Sequence, residues 1–138
     1  MTLLAPLRRR LREETGASSV ELLVFFPLLM LIILVTVQVA LSWYGNEVAM
    51  ATARETIRVV REGGTAPSEI SQAEADGVRY AGQVGGGRAL TGVDVSVVVD
   101  GEQARVTVTG TSMDIVAGLA PRIKAAVTAP IETFREDT

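Results

Sequence analysis

Residues 22–44 read LLVFFPLLMLIILVTVQVALSWY, 23 consecutive positions without a charged side chain. At about 1.5 Å rise per residue, a helix of this length spans roughly 34 Å, enough to cross the hydrocarbon core of a bilayer. Residues 22–35 are non-polar throughout, Pro27 included. The remainder of a 138-residue chain offers little interior in which to hide such a surface. The run therefore reads as a membrane helix, and it divides the sequence into what precedes it and what it carries.

Composition narrows the chemistry of the rest. Histidine and cysteine are both absent. Their absence removes the commonest general base, disulfides, zinc thiolate sites and cysteine nucleophiles together. Lys124 is the single lysine, which leaves almost no scope for a serine–lysine nucleophile. The net charge is −3 and no basic patch follows the helix, so nucleic acid is not the expected partner. The expectation is a non-enzyme without cofactor or metal.

Residues 1–16, MTLLAPLRRRLREETG, form a short basic leader. Arg8, Arg9, Arg10 and Arg12 lie close to the apolar run and act as membrane-interface anchors. By the positive-inside rule they hold this end in the cytoplasm and send the C-terminal part outside. A basic segment before an apolar run also describes a secretory signal peptide. This run is longer than the usual h-region, and its polar continuation keeps a helical rhythm. The small-x-small triplet Ala49-Met50-Ala51 would be the cleavage point on that reading.

The junction Gly16-Ala17-Ser18-Ser19-Val20-Glu21 places one carboxylate at the mouth of the apolar helix. Taken alone, Glu21 is a headgroup-level acid that complements the helix dipole. With its neighbours it carries a resemblance. A glycine followed five residues later by glutamate resembles the processing site of type IV prepilins. The longer stretch GASSVELLVFFPLLMLIILVTVQVALSWYGNEVAMATARETIRVVREGG is similar to the TadE family of tight-adherence pilus proteins. The resemblance covers residues 12–64. It implies cleavage between Gly16 and Ala17, with Glu21 as fifth residue of the mature chain. Many relatives carry Tyr or Phe after the glutamate, whereas Leu22 stands here.

By the same resemblance the partners are a prepilin peptidase, the major pilin and other minor pilins, and the inner-membrane assembly machinery, besides the lipid bilayer. Cleavage would create a cationic amine at Ala17, one helical turn before Glu21. The amine of one subunit could then pair with Glu21 of another in a desolvated bundle.

Within the run, Pro27 removes a backbone hydrogen bond and is expected to kink the helix. Gln38 either bonds a neighbouring helix or faces the interface. Trp43 and Tyr44 close the run as an aromatic belt. From Asn46 the pattern becomes amphipathic, with Met50, Ala53, Ile57 and Val60 on one stripe and a possible bend at Gly45. Gly63-Gly64 ends it. A second helix starts around Pro67, with a stripe of Ile70, Ala73, Gly77, Ala81 and Val84, and stops at Gly85-Gly86-Gly87.

Beyond Leu90 the period changes to two. Val93, Val95, Val97 and Val99 share one face, and Ala104, Val106 and Val108 share another across Asp100-Gly101-Glu102, a hairpin signature. Asp114 could cap a short helix before Pro121. Residues 125–134 are expected to add a third strand at an edge, because Pro130 lacks a ladder donor.

The expected fold is α+β. A cytoplasmic leader (1–16) precedes a long helix (17–62) that spans the inner membrane over about 22–44. An extracytoplasmic, pilin-like domain (63–138) adds a short helix and a small antiparallel sheet. The expected function is that of a minor pilin or pseudopilin. An uncleaved single-pass binding or scaffolding subunit is the alternative.

Overall fold

The computed structural model describes residues 5–131, with side chains from Ser19 onward. The element order is α1 (Ala5–Gly63), α2 (Pro67–Val84), β1 (Leu90–Asp100), β2 (Gln103–Ser112) and β3 (Arg122–Pro130). The expected α+β class, with one apolar helix, a short second helix and a three-stranded antiparallel sheet, is what forms. By packing the chain divides into two units, Met1–Thr36 and Val37–Thr138.

The first helix is described from Ala5 and runs through the expected processing boundary at Ala17 without a break. The leader is rich in Leu, Arg and Glu, all good helix formers, with Pro6 tolerated in the first turn. The backbone remains helical through Pro27 and Gly45. Gly45 stands where the sheet comes close. A side chain there would meet the Ala89 carbonyl at 3.2 Å and Leu90 at 3.3 Å, so glycine lets β1 approach the helix. The helix stops where the two glycines stand. Gly64 takes φ +107°, a conformation that favours glycine, and donates its N–H to the Val60 carbonyl at 3.2 Å.

In the second unit the core forms on one face of the sheet. Val95 and Val97 of β1, Ala104, Val106 and Val108 of β2, and Ile123 and Ala125 of β3 are buried together with Val48, Ala49, Ala53, Ile57 and Val60 of α1. The strand pattern anticipated this alternation, and the register aligns it, with Val97 opposite Val106 and Val106 opposite Val127. The α1 stripe is wider than the sequence suggested. Thr52 and Thr56 lie buried on it, while Met50 is only half-buried. A threonine hidden in a helix can bond backward, and Thr52 does so to the Val48 carbonyl at 2.8 Å.

The second helix starts with Pro67 at its first position, and the Ala66 N–H donates to the Glu69 carboxylate at 3.0 Å. It buries Ala73, Gly77 and Ala81, whereas Val84 stays exposed. This helix also protects the sheet. β1 is an edge strand, and its Val97 N–H donates at 2.8 Å to Glu74 of α2 instead of standing open. β1 and β2 are joined through Gly101 and Glu102, with Gly101 at φ +59° as a tight hairpin requires.

Two expectations in the C-terminal part change. No helix forms between β2 and β3. Asp114 instead accepts the Gly118 N–H at 3.0 Å, and Gly118 at φ +84° turns the chain before a second helical turn can close. β3 occupies Arg122–Pro130, starting earlier than expected and ending at Pro130. Residues 132–134 of the expected strand lie outside the described residues.

Candidate assembly site

Residues 20–35 of α1 present their apolar side chains outward on every face. Leu23 is 75% exposed, and even the least exposed large residues of this stretch remain open. The apolar window is not buried within the molecule. A core helix of a soluble protein would be covered, so this surface needs an apolar solvent. Among the described residues there is thus one N-terminal helix compatible with a single-pass membrane protein.

Glu21 lies at the start of this surface, exposed, between Val20 and Leu22. Gly16 and Ala17 belong to the same continuous helix, which places residue 17 one turn before Glu21. The side chains of Arg8, Arg9, Arg10, Arg12, Gly16 and Ala17 lie outside the described residues. Both expected aromatic anchors stand at the surface. Trp43 is 71% exposed, and the Tyr44 hydroxyl donates to the Val84 carbonyl at the end of α2 at 3.3 Å. Tyr44 therefore also fastens α2 to α1, a tie that its place in the sequence did not suggest.

Gln38 departs from both expectations. It bonds neither a neighbouring helix nor the interface but is 4% exposed beneath the β2–β3 loop. Its Nε2 donates to the Met113 carbonyl at 3.0 Å, and its Oε1 accepts N–H groups from Ile115 at 3.1 Å and Val116 at 3.4 Å. The amide satisfies a stretch of loop backbone that has no ladder partner. A lone glutamine in an apolar run was the available signal. Its partner, 75 or more residues away, was not legible.

Farther along α1, Arg58 bridges Glu55 and Glu62, with 2.9 Å to the latter. The guanidinium holds the Glu55 carboxyl below the usual carboxylate range. This is the solvated face of the amphipathic stretch. A cleft of about 250 Å³ between α1 and α2 is lined by Thr56, Gly77 and Tyr80 among others. The Thr56 hydroxyl, buried beside it, has no hydrogen-bond partner among the described residues. Those residues contain no cluster of three or more carboxylates suited to a metal ion.

A comparison with curated proteins and one with solved structures gave no match. The family comparison did. Residues 16–58, from the glycine of the junction through the apolar run and most of the amphipathic stripe, match the family model of TadE-like proteins.

Proposed function

We propose that the chain is a minor pilin or pseudopilin of a tight-adherence pilus. The observation that carries this reading is the coincidence of the TadE-like match with a helix of two characters, bare and apolar over residues 20–35 and packed under a sheet from Val48 to Val60. Such a subunit can be held by its apolar half in a bilayer and later hold neighbouring subunits with the same half in a filament. The role is structural, not catalytic.

In this reading the N-terminus is cytoplasmic, the second unit lies outside the inner membrane, and a prepilin peptidase cuts between Gly16 and Ala17. The new amine stands one turn from Glu21, and the amine–carboxylate pair between adjacent subunits sets their axial register. An unpaired carboxylate among apolar helices is costly, so misregistered neighbours are disfavoured. The major pilin, other minor pilins and the inner-membrane assembly machinery are the partners.

One observation favours the uncleaved single-pass alternative. The helix is continuous through Gly16 and Ala17, and a peptidase must open it there. Glycine is the residue at which a helix opens most cheaply. The test of the proposed role is the protein content of sheared pili from the native host. Wild-type chain should co-purify with the filaments, and Glu21→Ala should be lost from them while persisting in the membrane. Equal incorporation of Glu21→Ala would eliminate the pairing, and absence of wild-type chain from pili and from their assembly complexes would eliminate the pilin role.

A further inference from the structure

We infer that the β2–β3 loop, residues 113–121, is a second membrane contact, which seats Ile115 and Leu119 at the boundary between lipid headgroups and acyl chains. The inference rests on the single-pass reading and deepens it.

Near one end of the unit Val37–Thr138, two elements carry exposed apolar side chains. The helix contributes Val39 and Trp43, and the loop contributes Ile115 and Leu119, 48% and 54% exposed. Large aliphatic side chains at the tip of a tight turn are unusual unless something covers them. Gln38 fixes the level of the loop along α1 through its three hydrogen bonds. Gln38 is itself part of the charge-free run, six residues before Tyr44, about 9 Å along the helix axis. The loop is therefore fastened inside the segment that the bilayer boundary has to surround.

Backbone chemistry points the same way. An irregular segment can enter a low-dielectric layer only if its polar groups find partners within the protein. Here Ile115 and Val116 donate N–H groups to Gln38, Gly118 donates to Asp114, and Leu119 donates to the Val116 carbonyl at 2.9 Å. The Ser112 N–H closes the base of the loop on the Pro121 carbonyl at 3.2 Å. These four N–H groups of the loop are therefore satisfied without water, as entry into a headgroup layer requires.

Asp114 limits the depth, since its exposed carboxylate belongs at headgroup level. Arg122 and Lys124, both exposed, follow the loop on the outer face of β3, with Arg122 opposite Thr111 and Lys124 opposite Thr109. At that height they can meet lipid phosphates while the aliphatic residues sit below.

The absence of cysteine makes single-cysteine labelling of the full chain clean. Leu119→Cys and Ile115→Cys report on the loop, Leu29→Cys on the helix, and Val98→Cys, toward the Gly101 end of the sheet, on the solvent. Each variant is labelled with NBD and reconstituted in phosphatidylcholine–phosphatidylglycerol vesicles carrying nitroxide lipids. The expected result is loss of fluorescence at Leu29 with deep nitroxides and at both loop positions with shallow ones, and no loss at Val98. Quenching at Leu29 with both loop positions unaffected would overturn the loop contact and leave the membrane helix standing. No quenching at any of the four positions would overturn both.

Discussion

One helix meets two environments. Around residue 23 it shows nearly everything it has, with Leu23 75% exposed, while around residue 53 it hides its contact face, with Ala53 fully buried. The two stretches differ in kind, not in degree of hydrophobicity alone. The first is rich in Leu, Ile and Phe on all sides, which suits a solvent of acyl chains or like helices. The second alternates small buried residues, Ala49, Thr52, Ala53 and Thr56, with charged outward ones such as Arg54 and Arg58. Small residues bring a sheet close, and charges keep the other side wet. A helix can thus be handed between solvents without changing its backbone.

The sharpest way to break the comparison is to put a charge on each side of it. Val106→Asp buries an unpaired carboxylate under α1 and should destabilise the second unit by roughly 3–5 kcal/mol. Thermal unfolding of the full chain in detergent would show this as loss of the cooperative transition. Leu29→Ala, in the bare stretch, should change the same transition by no more than about 0.5 kcal/mol. Equal effects would mean that the two stretches are not separate environments.

Gly77→Ala probes the tightest meeting of α1, α2 and β1. An added Cβ would stand 2.5 Å from the Thr56 hydroxyl oxygen and 3.2 Å from Val95. Overpacking of this kind costs about 1–3 kcal/mol, and the same melt would detect it. At the border of the two stretches, Gln38→Leu removes all three bonds to the loop. Leaving buried backbone groups unpaired costs about 1–3 kcal/mol. Hydrogen exchange should quicken at Ile115 and Val116 while the strands β1 and β2 remain protected.

The smallest effect lies on the wet face. Arg58 lowers the Glu55 carboxyl, so the unfolded chain binds a proton more readily there than the folded one. That contribution is complete above the ordinary carboxylate pKa and is lost as pH falls through the lowered one. Exposed pairs are weak and salt-screened. Glu55→Gln should therefore flatten the acid limb of the stability curve only slightly, and only at low salt.

Periodicity made much of this legible. The valine alternation identified the inward sheet face, Gly101 the hairpin, and Gly63-Gly64 the end of α1. Local signals failed where the answer depended on distant neighbours. Asp114 looked like a helix cap because the loop that uses it is set by Gln38 far upstream. Gly45 gave no local sign that a strand lies against it from more than forty residues away in sequence. Helical backbone on both sides of Ala17 follows the propensity of the leader residues, a local signal separate from the motif that placed a processing boundary there. The junction of Gly16, Ala17 and Glu21 was legible as a pattern, but its role depends on other proteins.

The most direct test of the prepilin account is the intact mass and N-terminal sequence of the chain from native membranes, with and without the host's prepilin peptidase. The account predicts a chain beginning at Ala17 when the peptidase is present and at Met1 when it is not. A chain that retains Arg8, Arg9, Arg10 and Arg12 in both strains would contradict it and leave a permanent membrane anchor.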